Sequence, residues 1–310
     1  MKVTLASALL LVLAACEAGT PEPQILTAAT LTQQSHPLAG RVWDRRTGQM
    51  IAPEGFETAL RDADVVIIGE VHDNPQHHAR QADLVAMLEP AGLAFEMVPK
   101  ASEEGIDVFR AEGGKPGEIG PAIGWDRLGW PDWRYYRPIF EAAPDAYIAG
   151  GATTTAELRT AIRSGADAGF GEGAIRFGLD LAPDQPVQTA MEAEMITSHC
   201  NKLPRSAAAG MVEAQRLRDA RFAEAVLRAD AAQAGRVVLI TGNGHARTDR
   251  GVPAYLRIAA PDKKVLSIGQ IEVSSEANSA ADYIAGDAAP FDFIWFSAKA
   301  ERPDPCAAFN

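Results

Sequence analysis

Val65-Val66-Ile67-Ile68-Gly69-Glu70-Val71-His72 is the stretch that decides the fold. Its four consecutive β-branched residues suit a strand buried on both faces, as in parallel sheets covered by helices on either side. The run stops at Gly69, and Asn74-Pro75 supplies an N-cap and a first-turn proline for a helix to about Leu88. The same strand-then-loop pattern returns at Val237-Val238-Leu239-Ile240, which ends in Gly242-Asn243-Gly244-His245. Leu93-Ala94-Phe95, ending at Glu96, and Ala146 to Ala149, ending at Gly150-Gly151, are further strands, joined by Val265 to Ile271 and Phe291 to Phe296. Helical stretches alternate with these runs, so the spacing predicts an α/β fold with a mostly parallel sheet flanked by helices.

Working outward, Arg41 to Ile51 reads as a hairpin around Arg46-Thr47-Gly48, and residues 54–62 as a short helix. Residues 100–143 and 153–233 are too long for simple crossovers and are largely helical, so a smaller helical lobe is expected from them. The whole of 37–300 reads as one domain, followed by a C-terminal tail, 301–310. No internal repeat is present. The apolar content of 47% and charged content of 23% are ordinary for a globular protein. A formal charge of −12 argues against a nucleic-acid partner and against an electrostatic grip on anionic lipid.

Membrane association has another source. Lys2 is followed by the uncharged apolar run Val3 to Leu13, too short to span a bilayer and patterned like a signal peptide over residues 1–15. It closes on Leu13-Ala14-Ala15-Cys16, which resembles a bacterial lipobox in which Cys16 is lipidated. Residues 16–36, rich in Ala, Thr, Pro and Gln, then read as a tether. The expected location is the bacterial cell envelope, lipid-anchored at the outer membrane and facing the periplasm, with two acyl chains for stable attachment. Of the remaining thiols, Cys200 and Cys306 either pair in that oxidising compartment or stand as isolated cysteines. No Cys-x-x-Cys spacing suggests a thiolate zinc site.

Ligands in open α/β sheets bind beyond the C-terminal ends of the strands. His72, His77 and His78 follow one such end and His245 another, and Glu70 and Glu96 sit just past strand ends. Buried carboxylates need a cation or donors beside them. Glu70 may be read as capping the helix at Asn74, His72 as a loop hydrogen-bonding residue, and Asn243 as a turn former or a ligand-orienting amide. His77 and His78 point about a hundred degrees apart on a helix, so His78 is preferred for the pocket and His77 is left to solvent. Glu70, His72, Glu96 and His245 together suit a divalent metal and, with an open position, metal-assisted hydrolysis. His-Glu-x-x-His, a serine elbow, a Walker loop and a dinucleotide fingerprint are absent. A third cluster holds Trp125, Trp130, Trp133, Tyr135 and Tyr136 among Arg127, Arg134 and Arg137. It reads either as core or as a flat surface for a planar ligand, with arginines for carboxylates and tyrosine for iron.

The stretch Gly69-Glu70-Val71-His72-Asp73-Asn74-Pro75 with His77-His78 resembles the ChaN family of haem-binding uptake lipoproteins. The resemblance continues in order through Phe95-Glu96-Met97, Arg137-Pro138-Ile139, Ser198-His199-Cys200, Gln215-Arg216-Leu217-Arg218-Asp219, Gly242-Asn243-Gly244-His245-Ala246-Arg247 and Gly251-Val252-Pro253. It implies an α/β sheet domain with a smaller helical domain, haem binding, a role in haem or iron acquisition with outer-membrane uptake machinery, and a homodimer at the haem site. It also implies kinship with the Tiki/TraB-like group, which includes metal-dependent proteases. By that analogy Glu70, His72, Glu96 and His245 match a shared pocket, catalytic if the chain is an enzyme. His78, Gln215 and Asp219 match positions of the nearer family. Family members can use tyrosine as the haem iron ligand; no motif fixes it here, and composition offers Tyr135 and Tyr136, with His78 and Arg134 beside the cofactor.

Overall fold

The computed structural model describes residues 30–284, 290–304 and 306–307. The expected signal peptide, Cys16 and the expected tether as far as residue 29 lie outside the described residues. The strands are β1 (Leu31–Thr32), β2 (Val42–Asp44), β3 (Gln49–Ile51), β4 (Val65–Glu70), β5 (Gly92–Pro99), β6 (Tyr147–Ala152), β7 (Val237–Gly242), β8 (Val265–Glu272), β9 (Phe293–Ser297) and β10 (Lys299–Ala300). The helices are α1 (Pro53–Arg61), α2 (Pro75–Leu88), α3 (Glu103–Ala111), α4 (Ile119–Ile123), α5 (Trp133–Ala142) and α6 (Thr155–Ser164). They continue with α7 (Ala166–Phe170), α8 (Gln185–Ser198), α9 (Arg205–Ala232), α10 (Asn243–Ala246), α11 (Val252–Ala259) and α12 (Ala281–Ile284).

Among the described residues, an eight-stranded sheet runs β3-β2-β9-β8-β4-β7-β5-β6. The block from β9 to β6 is parallel throughout, and the β2–β3 hairpin adds an antiparallel edge. A short β1–β10 pair stands apart. β4 lies between β7 and β8, with Val65 beside both Val237 and Val265. That central place explains its unbroken run of β-branched residues: no position faces water.

Alternate side chains feed two cores. Val65 and Ile67 join Leu239, Leu217, Phe222 and Leu256 on the face covered by α6, α7, α9 and α11. Val66 and Ile68 join Ile240, Leu84, Phe95, Tyr136 and Phe140 on the face covered by α1, α2 and α5. Fully burying one such aliphatic side chain contributes about 1.5–3 kcal/mol. The stretches 100–143 and 153–233 are helical as expected, but they divide between these two faces. The part standing off the sheet is α8, which packs on α9 and buries little beyond Met191.

Asn74 starts α2 by accepting a hydrogen bond from the Gln76 N–H, with Pro75 at the first helical position. Its amide also donates to Glu272 and to the Ala298 carbonyl, which ties the helix start to β8 and β9. Cys200, in the turn between α8 and α9, is joined to Cys306 by a disulfide with a sequence separation of 106. Closing a loop of that length restricts the unfolded chain by about 4–5 kcal/mol in the chain-entropy view. Urea unfolding of Cys306→Ser is therefore expected to show a loss of about 2–5 kcal/mol, and dithiol reduction of the parent protein the same loss. An unchanged midpoint would show that the tail contributes nothing to stability.

Candidate functional site

Register places the ends of β4, β7 and β5 side by side, with Glu70 opposite Gly242 and Phe95 opposite Ile240. The acidic residues of the loops therefore converge over the sheet. Asn243 holds the second loop in place: its amide donates to the Gln270 carbonyl and accepts the Gln270 N–H, so it extends the sheet by side chain. A Cβ on Gly69 would collide with that amide oxygen, which accounts for the glycine there. Asn243 thus acts on the loop and not as a turn former alone.

Glu70 is buried, at 2% exposure. Its Oε1 accepts from the Tyr136 hydroxyl at 2.7 Å and lies 2.7 Å from His72 Nδ1, while Oε2 accepts from Gln81 Nε2 at 2.7 Å. His78 Nδ1 approaches Oε2 at 3.4 Å. Burial pushes the carboxyl up, but His78, His72 and Tyr136 outweigh it and hold it down to about 2. Burial also opposes a charge on His72, yet the Glu70 contact raises its pKa overall. Glu70 is therefore no cap for α2; Asn74 does that.

His77 is buried and not left to solvent. Its Nδ1 accepts the Val71 N–H at 2.9 Å, so its Nε2–H donates to Ser297 Oγ at 2.7 Å. Burial and the nearby Arg80 cation push its pKa down to about 3, so the ring is a neutral brace between β4 and β9. His78 is buried too, with Nε2 2.8 Å from the His72 carbonyl. Its ring stacks on Tyr135 at 5.4 Å with planes 6° apart.

Across the cleft, Glu96 accepts from Thr241 Oγ1 at 2.7 Å and from the Gly242 N–H at 2.8 Å. His245 Nδ1 lies 2.7 Å from Asp219 Oδ1 and 3.0 Å from Gln215 Nε2, and its Nε2 lies 3.6 Å from Glu96 Oε1. Burial drives Asp219 up to about 6 against the pull of His245. Burial disfavours the His245 charge, and Glu96 and Asp219 overcome it and raise that pKa. Both groups thus hold a proton more tightly than they would in water.

The cleft between these groups has a volume of about 390 Å³. Glu70, His72, Gln215, Asp219, Asn243 and His245 line it together. Sequence reasoning missed its roof, where Met191, Met195 and Ser198 project from one side of α8, and Arg250 with its ion-pair partner Glu194. The spacing of Met191 and Met195 marks a helix face, but nothing local says what that face covers.

Among the described residues, no group of three or more His, Cys, Asp or Glu is placed to hold a metal ion. The reason is visible in the bonding. Glu70 is spent on Tyr136, His72 and Gln81, Glu96 on Thr241 and Gly242, and one ring nitrogen of each histidine on a carboxylate. The expected divalent-metal set Glu70, His72, Glu96 and His245 is thus two pairs, Glu70 with His72 and Glu96 with His245, whose remaining bonding capacity is taken by other residues.

The aromatic cluster divides. Trp125 and Tyr136 are core, while Trp130, Trp133 and Tyr135 are partly exposed. Trp130 lies 5.0 Å from the His72 ring. Arg134 is exposed and bonds Asp132. Tyr136, pressed against Glu70 and buried, has its pKa raised by both burial and that carboxylate. It cannot easily become a phenolate; among the described residues no carboxylate bonds Tyr135.

The sequence matches the family described as haem-binding uptake, Tiki superfamily, ChaN over residues 56–256. The chain belongs to that family. Among solved structures, one of cofacial haem binding to ChaN of Campylobacter jejuni is 20% identical, covers 82% of this chain and 95% of its own, and has a TM-score of 0.63. That likeness shows a shared fold. The type III effector HopBA1, at 13% identity over 79% of this chain and 92% of its own, has a TM-score of 0.41, too distant to argue from. No curated protein matches the chain.

The Glu70 bonding predicts an acid limit. A carboxyl held below its unfolded value of 4.5 contributes stability that is complete above 4.5 and lost as pH falls towards about 2. Melting temperatures measured from pH 6 to about pH 2 are expected to fall through this window, and less steeply for Glu70→Gln. That variant should also lose about 1–3 kcal/mol at neutral pH, because one amide cannot satisfy the donors a carboxylate satisfies. Equal pH slopes for the two proteins would contradict this assignment.

Proposed function

We propose that this member of the ChaN family binds haem in the bacterial envelope and serves haem or iron uptake, with Tyr135 supplying the iron ligand. Beyond family membership, the supporting observation is the contrast between two adjacent tyrosines. Tyr136 is sealed against Glu70, while Tyr135 is partly exposed at the start of α5 with its ring stacked on His78. A tyrosine oxygen is an established haem-iron donor, and it must be reachable and able to lose its proton. His78 is held by the His72 carbonyl and by that stack, so it positions Tyr135 instead of reaching the iron. Arg134, one residue away and exposed, is bonded to Asp132 at the start of the same helix.

The relative's cofacial haem binding, carried over, gives two haems face to face between two copies of this chain. Cys16 and the residues after it would hold the domain at the outer membrane, within reach of uptake machinery. The Cys200–Cys306 disulfide suits such an oxidising compartment.

Haem titration followed by absorption tests the ligand. Tyr135→Phe is expected to lose the phenolate spectral signature and at least about tenfold in affinity, in line with the loss of a charged donor. Tyr136→Phe should keep the signature and lose about 1–3 kcal/mol of stability, since Glu70 is left short of a donor. A Tyr135→Phe protein that titrates like the parent would rule Tyr135 out as the ligand.

A further inference from the structure

α9 turns two different faces to the strand ends. Gln215 and Asp219, one turn apart, line the His245 cleft. Arg218 and Phe222, also one turn apart, line a second cleft of about 470 Å³. Glu96 and Trp130 line this second cleft as well, and Glu96 approaches His245 from that side. A run of contacts reaches it from Tyr135: the stack on His78, the His78 bond to the His72 carbonyl, and the packing of the His72 ring on Trp130.

Arg218 is the charged residue of this cleft that is tied to nothing by a hydrogen bond or ion pair among the described residues; its charge acts only at longer range, on Asp219 and His245. The other arginines of the same helix that are at least partly buried are well engaged, and Arg205 at its start is exposed. Arg216 bonds Glu213 and the Leu181 carbonyl, Arg221 bonds Glu224 and the Phe170 carbonyl, and Arg228 bonds Glu103 and the Gly150 carbonyl. Among the described residues, no hydrogen bond or ion pair engages Arg218, although it is partly buried and the chain carries a net charge of −12. A guanidinium offers five donors and no acceptor, and withdrawing it from water without a partner is costly. Thr153 and Thr155 line the same cleft, and their hydroxyls likewise have no hydrogen-bond partner among the described residues. Trp130 and Phe222 supply aromatic walls. Glu96, the acid of the cleft, is bonded to Thr241 and Gly242 and faces His245, so a guanidinium and two hydroxyls beside aromatic surface fit one ligand feature: a carboxylate carried on a flat apolar ring system.

We propose that this second cleft is the carboxylate subsite of the haem site, in which Arg218 pairs with one propionate and Trp130 and Phe222 flank the edge of the ring. The assignment rests on the haem reading above and adds to it a recognition residue on the opposite side of Glu96 from the His245 cleft. The fork of Arg218 matches a carboxylate in a bidentate pair, which an ester cannot reproduce.

The test titrates haem and haem dimethyl ester, in the same detergent buffer, into the parent protein, Arg218→Gln and Arg218→Lys. Arg218→Gln is expected to bind haem on the order of tenfold more weakly and to leave the diester affinity unchanged, with Arg218→Lys between. Its melting temperature should stay close to the parent's, since no hydrogen bond or ion pair is removed. Unchanged haem affinity in Arg218→Gln overturns the subsite while haem binding stands. Equal weakening for haem and diester overturns it as well, because the loss would then not belong to a carboxylate. If the parent protein binds neither probe, the haem reading and the subsite both fall.

Discussion

Glu70 ends the central strand at a depth where water cannot solvate its charge, so the protein has to. That demand organises the surrounding elements. β4 delivers the carboxylate, α2 delivers Gln81 and His78, the loop between them delivers His72, and α5 is drawn in by the Tyr136 hydroxyl. Two further acids at the strand ends are handled differently. Glu96 is satisfied by a hydroxyl and a backbone N–H, and Asp219 by its bond to His245. Removing one partner of such a set leaves a charge stranded, a more serious loss than the set's net worth. The residues most suggestive of chemistry are thus, in the first place, a solvation shell built from side chains.

Much of this was legible in sequence because it is local. A run such as Val65-Val66-Ile67-Ile68 carries its own reading as a doubly covered strand, and Asn74-Pro75 announces the start of α2. The two glycine-ended loops follow from strand ends in a parallel sheet. What failed needed tertiary information. Adjacent histidines on one helix suggest one buried and one solvated, but α2 is wedged between β9 on one side and α5 on the other, so both are buried. The bond between His245 and Asp219 joins the short helix α10 to the middle of α9 and leaves no spacing signal; only the family resemblance put Asp219 near the site. The aromatic cluster offered a core or a surface, and it is both: Trp125 and Tyr136 are sealed while Trp130 and Tyr135 stay accessible. α8 shows a sided pattern, yet its role as roof appears only when α9 has placed it.

The families of contacts along α9 show how one helix can serve two clefts without a break. Successive turns offer Gln215 and Asp219 to one cleft and Arg218 and Phe222 to the other, while Leu217, Ala220 and Ala223 stay in the core. A rigid helix packed on β5, β6 and β7 therefore fixes the spacing of both clefts at once. Any ligand that spans them meets a wall that does not adjust residue by residue.

The strand order has a consequence for how the chain acquires its shape. β4 comes early in the sequence, but both of its neighbours come late, β7 from residue 237 and β8 from residue 265. Until that distant third of the polypeptide is available, its most apolar strand has two open edges, the arrangement most prone to pair with another molecule. Such a topology folds slowly, since the loop that must close is long before any contact rewards it. A chain emerging from the ribosome N-terminus first would therefore expose Val65-Val66-Ile67-Ile68 well before the partners arrive. Truncation upstream of β7 would yield an aggregating fragment in place of a smaller domain, and a holding chaperone would raise the yield of the whole chain.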